Sequence, residues 1–138
     1  MSVLRHLTRI RVRYAETDQM KVVYYGRYFE YFEQARTDML RALGMSYADM
    51  ERQGIFLPVV EAHAEYKRSI GYDDEIEVES IVREVPVARI RIEYAVRRVG
   101  EAEVLADGYT VHSFLNAATG KPTRGPVQLV QLFQDALR

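Results

Sequence analysis

Residues Tyr25–Leu43 read YGRYFEYFEQARTDMLRAL, and their spacing decides the fold. Tyr28, Phe29, Phe32, Ala35, Met39, Leu40 and Leu43 recur at intervals of three and four, while Glu30, Glu33, Asp38 and Arg41 fall between them. This period predicts a long amphipathic helix from about Tyr25 to Leu43, with Gly44 placed to end it. Glu33 and Arg36, three apart, are expected to pair along the helix. A single apolar stripe cannot bury itself, so the remaining chain has to supply a covering layer.

On the N-terminal side, Leu4–Tyr14 alternates with period two. Ile10, Val12 and Tyr14 share one face and Arg9, Arg11 and Arg13 the other, which predicts a half-buried strand. The following AETDQMKVVY has no clear period and reads as a loop. On the C-terminal side, Ser46–Gln53 predicts a short helix capped by Ser46, with Asp49 in the capping-box position. Four extended segments follow, Ile55–Lys67, Glu75–Val85, Ala88–Val99 and Glu103–Asn116, separated by GYDD, Pro86 and the turn at Gly100. Val127–Leu137 predicts a closing helix. One strand, one long helix and four strands able to run as antiparallel neighbours make an α+β domain, a sheet with a helix on one face, spanning 1–138.

The chain has 138 residues, 48% of them hydrophobic and 28% charged, the composition of an ordinary folded domain. Its formal net charge of −1 gives no bulk field for nucleic acid or an anionic membrane. Cysteine is absent, which excludes disulfides, thiolate metal sites and a cysteine nucleophile, and fits a cytoplasmic location. No signal-like or membrane-spanning apolar run is present. The Arg5, Arg9, Arg11 and Arg13 series reads as a solvated or subunit-facing strand face rather than a nucleic-acid platform.

No serine sits in a GxSxG or SxxK context, and no GxGxxG or GxxxxGK occurs, so the common hydrolase and phosphate-binding motifs are missing. His6, His63 and His112 lack metal-ligand spacing and are expected to be packed or solvated strand residues, with no metal bound. What remains is Asp18, in the loop seven residues before the helix. By itself it reads equally well as a turn or capping residue.

The residues around it change that balance. Arg11–Met50, RVRYAETDQMKVVYYGRYFEYFEQARTDMLRALGMSYADM, resembles the 4-hydroxybenzoyl-CoA thioesterase family through Thr17, Asp18, Val23, Tyr24, Tyr25, Tyr28, Phe32, Glu33, Ala35 and Arg36. The likeness continues through Pro58–Val78 and, more loosely, through DGYTVHSFLNAATGKPTRGP. It implies the hotdog fold, in which a curved antiparallel sheet of five strands wraps one long helix. It also implies an acyl-CoA thioesterase that hydrolyses an acyl- or aroyl-CoA to the free acid and CoA.

Carried over by position, the resemblance makes Asp18 the catalytic carboxylate, as nucleophile or general base, and the backbone N–H of Tyr25 the group that polarises the thioester carbonyl. The chemistry agrees: a helix start offers unpaired amide donors and positive partial charge to a developing oxyanion, and Gly26 lets an acyl group approach the backbone. That positive end also stabilises an ionised carboxylate and weakens it as a base, which favours attack on the carbonyl.

Thr17, Tyr24 and Tyr28 are the expected substrate-contacting neighbours, and Arg68, Arg89, Lys121 and Arg124 the expected phosphate-facing rim, often contributed across a subunit boundary. No cofactor is implied; coenzyme A enters as part of the substrate. A homo-oligomer, dimer or tetramer, is expected, because Phe29, Tyr31 and Met39 give the helix more apolar surface than one sheet face covers. Lys21, where the family usually has glycine, and Arg27, where asparagine is common, predict an altered path for the Asp18 loop. Two other readings fit the residues: a thioesterase acting on acyl carrier protein, and a hotdog module that binds acyl ligands without catalysis. Hotdog dehydratases depend on a histidine near the helix, and none lies between His6 and His63.

Overall fold

The structure is a computed structural model that describes residues 2–138. The chain runs through β1 (Leu4–Arg11), a 3-10 turn (Tyr14–Glu16), α1 (Arg27–Leu43), α2 (Tyr47–Arg52), β2 (Ile55–Phe56) and β3 (Val59–Tyr66). It continues through β4 (Glu75–Val82), β5 (Arg89–Arg98), β6 (Ala106–Ser113), β7 (Leu115–Asn116) and α3 (Val127–Ala136). Five strands form one antiparallel sheet in the order β1-β4-β5-β6-β3, and β2 and β7 pair as a separate two-stranded ribbon.

The helix buries the stripe its spacing announces: Tyr28, Tyr31, Phe32, Ala35, Arg36, Met39 and Leu40. The sheet curves around it and contributes Ile10, Ile76, Val78, Ile90, Ile92, Tyr94 and Val96, while α3 closes the core with Leu129 and Phe133. Phe32 stacks on Tyr94 with ring centroids 4.3 Å apart. This is the hotdog arrangement expected from the sequence. Gly44 ends α1 at φ 121°, and Ser46 caps α2 in a reciprocal bond pair with Asp49.

Several expectations need correcting. The first strand stops at Arg11, because Val12 turns into the 3-10 segment, and Tyr14 projects into solvent instead of joining the core. The helix begins at Arg27, with Gly26 as its N-cap. Pro58 divides the expected Ile55–Lys67 strand, since it has no N–H to give a ladder. The fourth extended segment starts at Ala106 and sheds Leu115–Asn116 to the ribbon.

The strands do not all neighbour in chain order either. β3 crosses to the far edge and pairs with β6, so only β4, β5 and β6 form a meander. No Glu33–Arg36 ion pair forms among the described residues: Arg36 turns inward and donates from Nε to the Tyr47 hydroxyl at 2.9 Å. Tyr31 and Met39 are both fully covered, leaving only Phe29 partly exposed, so surplus apolar surface on the helix is no argument for an oligomer.

Candidate active site

The loop between the 3-10 turn and α1 is short and anchored on both sides. Thr17 and Val23 bridge antiparallel, and the Asp18 N–H donates to the Val22 carbonyl at 2.9 Å. The Lys21 N–H returns to the Asp18 carbonyl at 2.9 Å, closing a four-residue turn in which Lys21 adopts φ 64°. Lys21 thus sits in the left-handed conformation that glycine takes freely, at a steric cost to lysine. The Val23 N–H bonds the Ile70 carbonyl at 2.8 Å, tying the loop to the segment before β4.

Glu16, which the sequence reading passed over, organises the approach to the helix. Its carboxylate accepts from the Arg13 N–H at 2.8 Å and from the Tyr31 hydroxyl at 3.0 Å, and its carbonyl accepts from the Tyr24 N–H at 3.0 Å. Burial and this carboxylate push the Tyr31 phenol far above its ordinary value, so it remains the donor. Arg27, the other departure from the family pattern, reaches back to the Ala15 carbonyl at 3.4 Å while pairing with Glu30.

Asp18 is exposed, and its Oδ1 accepts from the Met20 N–H at 2.8 Å, an Asx turn that fixes one oxygen. Across the turn, the N–H groups of Tyr25 and Gly26 have no acceptor among the described residues, whereas Arg27 and Tyr28 bond the carbonyls of Tyr24 and Tyr25. Two amide donors therefore stand free at the start of a 17-residue helix. Gly26 is not merely a gap: a Cβ there would press on the Tyr24 ring at 3.0 Å.

A shallow cavity of about 150 Å³ opens beside these donors, lined by Val22, Tyr25, Tyr28, Tyr66, Lys67 and Arg68. Tyr66 lies 4.8 Å, centroid to centroid, from both Tyr25 and Tyr28. Burial, then the neighbouring Tyr66 and Tyr25, push the Tyr28 phenol up to about 12. Asp18 and Thr17 do not line this cavity, and the Thr17 hydroxyl is turned to the Tyr14 carbonyl at 2.7 Å. Tyr24 is exposed and tilted against Tyr25.

Of the four expected rim cations, only Arg68 comes to this end of the sheet, where it pairs with Glu103. Lys67, which the sequence reading missed, joins it on the cavity wall and pairs with Asp107. Arg89 pairs in register with Ser113, whereas Tyr66 pairs with Ala106. Seven residues along β6 separate the two positions, roughly 23 Å at strand rise. Arg124 lines a groove with Val85, Pro86 and Val87 beyond that far end, and the Lys121 carbonyl accepts from the Asn116 N–H at 2.9 Å in the neighbouring loop. Within one chain the four cations do not form one rim.

Residues 12–133 match the model of the thioesterase-like superfamily. The chain belongs to this superfamily. The candidate acyl-CoA thioesterase YneP of Bacillus subtilis (strain 168) is 45% identical over 65 residues; the match spans about half, 47%, of each chain. The solved DHNA-CoA thioesterase of Staphylococcus aureus is 38% identical with a TM-score of 0.82, over 95% of this chain and 85% of that one. A thioesterase-superfamily fold is shared more widely: 4-hydroxybenzoyl CoA thioesterase, solved with 4-hydroxybenzoyl CoA, aligns at a TM-score of 0.83 over 94% of this chain and 98% of that one. At 16% identity that likeness speaks for the fold alone. Among the described residues no cluster of His, Asp and Glu could hold a metal, and no helix is long and apolar enough to cross a membrane.

Proposed function

We propose that this superfamily member is an acyl-CoA thioesterase that hydrolyses an acyl- or aroyl-CoA to the free acid and CoA. The observation that carries the reading is the pair of free amide donors, Tyr25 and Gly26, reached through a seven-residue loop that begins at the exposed carboxylate of Asp18. A thioester carbonyl seated against those donors gains stabilisation as its oxygen becomes negative. Asp18 then either attacks the carbonyl carbon, giving a mixed anhydride and releasing the CoA thiolate, or takes a proton from the attacking water.

The phosphate rim comes from pairing of two copies. β3 is a sheet edge exposed along most of its length, carrying Val59, Val60 and Tyr66 on its surface, with no strand beyond it among the described residues. Antiparallel pairing of two β3 edges about a two-fold axis sets the Arg89 and Arg124 end of one copy beside the Tyr25 and Arg68 end of the other. Lys67 and Arg68 then face the substrate in cis, and Arg89, Lys121 and Arg124 in trans.

A thiol-release assay over short, long and aromatic acyl-CoAs tests this, run beside Asp18→Asn. Asparagine retains an oxygen for the Met20 N–H, so the loop keeps its shape while the charge is lost. Turnover is expected to fall at least about a hundredfold, the scale of a principal catalytic group. Unchanged turnover in the variant removes the mechanism; absence of turnover by the parent on CoA and carrier-protein thioesters alike identifies a binding module.

A further inference from the structure

The Tyr66 hydroxyl lies 3.3 Å from the carbonyl oxygen of Tyr25, a residue 41 positions earlier in the chain. The same carbonyl also accepts from the Tyr28 N–H at 3.3 Å. With no cis peptide among the described residues, the Tyr25–Gly26 unit is planar and trans, so its N–H points opposite to its C=O. Two donors holding the Tyr25 oxygen therefore aim the Gly26 N–H away from Tyr66 and fix the plane in which it can move. An amide whose oxygen is hydrogen-bonded is also polarised into a stronger donor at its nitrogen.

The ring adds a second, independent constraint. Tyr66 lies 4.8 Å from both Tyr25 and Tyr28, so its ring packs against the Tyr25 side chain and limits its movement on that side. Tyr66 is itself held by the β3–β6 ladder through its pairing with Ala106, and the Lys67 and Arg68 N–H groups both bond the Leu105 carbonyl, at 2.9 and 3.0 Å. Burial and Tyr25 hold the phenol above its ordinary value, which keeps the O–H available to donate.

We infer that Tyr66 is a positioning residue for the proposed thioesterase reaction: its hydroxyl, delivered by the edge strand, holds the Tyr25–Gly26 peptide so that the free Gly26 amide is aimed at the substrate oxygen. This rests on the function proposed above, and it ties the edge strand β3 to the rate of the chemical step.

The test is Tyr66→Phe, which keeps the ring and removes only the hydroxyl. The expected result is a fall in kcat of about tenfold, smaller than the loss from deleting an oxyanion donor outright, with KM unchanged. A shift of the Gly26 amide cross-peak in the 1H–15N spectrum is expected with it. A residue that merely lines the pocket would raise KM and leave kcat and that cross-peak alone, and this result overturns the assignment. Full activity with an unmoved cross-peak overturns it as well. If the parent hydrolyses no thioester, the functional reading fails separately, and the Gly26 cross-peak still decides whether the hydroxyl holds the peptide.

Discussion

His112 Nε2 lies 2.9 Å from the Thr110 hydroxyl on the inner face of β6, and this contact sets the direction of a buried hydrogen-bond chain. The other ring nitrogen of His112 is 3.2 Å from the Leu57 carbonyl, which can only accept, so Nδ1 carries the proton and Nε2 is an acceptor. Thr110 therefore donates to His112, and its oxygen receives the Tyr94 hydroxyl 2.7 Å away. The chain runs from the strand facing α1 to the corner that launches β3, and it needs His112 neutral.

Burial, and secondarily the charge of Arg36, lower the His112 pKa from 6.5 to about 4. The unfolded chain binds this proton first, so the histidine's contribution is complete above about pH 6.5 and is lost as pH falls toward 4. The cost at the acid end is about 3 kcal/mol at one pKa unit per 1.36 kcal/mol. Urea denaturation of the parent and of His112→Gln between pH 7 and 4 is expected to show their stability difference shrinking steadily. A difference independent of pH would refute the assignment.

Arg36 is a buried cation whose Nε bonds a tyrosine rather than a carboxylate, and its field reaches His112. Arg36→Met keeps much of the volume and removes the charge. The His112 pKa, followed by NMR titration, is then expected to rise above about 4 yet stay below 6.5, because burial, the larger cause, remains. A pKa that does not move would show that the guanidinium is screened from the ring.

How much of this was legible in the sequence follows from what periodicity reports. A period of 3.6 records which helix face is covered, so Tyr28, Phe32, Ala35 and Met39 announced α1 and its burial directly. Arg36 lies on the same stripe, four residues from Phe32 and from Leu40, but its charge disguised it as a surface residue. Alternation in a strand records faces and not neighbours, so nothing in Val59–Tyr66 revealed that β3 crosses to the far edge. Asp18 and Tyr25 were singled out because they lie in one contiguous stretch that resembles a known family, whereas Tyr66 and Lys67 reach the cavity that Tyr25 lines through a long-range ladder that leaves no local signal.

Lys21 occupies φ 64° in the Asp18 turn, where a side chain crowds the backbone. Lys21→Gly is expected to raise stability by about 1 kcal/mol, measured as a higher urea midpoint with an unchanged slope. Because the turn already has the glycine-type geometry, the substitution leaves the backbone path around Asp18 in place, and turnover should stay within about twofold of the parent. A stability loss would mean that the lysine side chain contributes contacts outweighing the strain.

Gly108 is the residue that allows β3 to close onto β6. A Cβ built there would fall on the His63 carbonyl oxygen, deep inside van der Waals contact, and would meet the Ala64 Cα at 3.1 Å. Both neighbours are backbone of the paired strand, so no side-chain rotation relieves the clash and the edge strand itself has to move. Gly108→Ala is therefore expected to cost at least about 2 kcal/mol, in the range of overpacked core substitutions. The displacement should be local: amide exchange is expected to speed up in β3, from Val59 to Tyr66, before it does in β4 or β5. Because Tyr66 rides on that strand, the same variant should lose thioesterase turnover beyond what its folded fraction explains. Retained turnover alongside fast β3 exchange would uncouple the edge strand from the free Tyr25 and Gly26 amides in the proposed reaction.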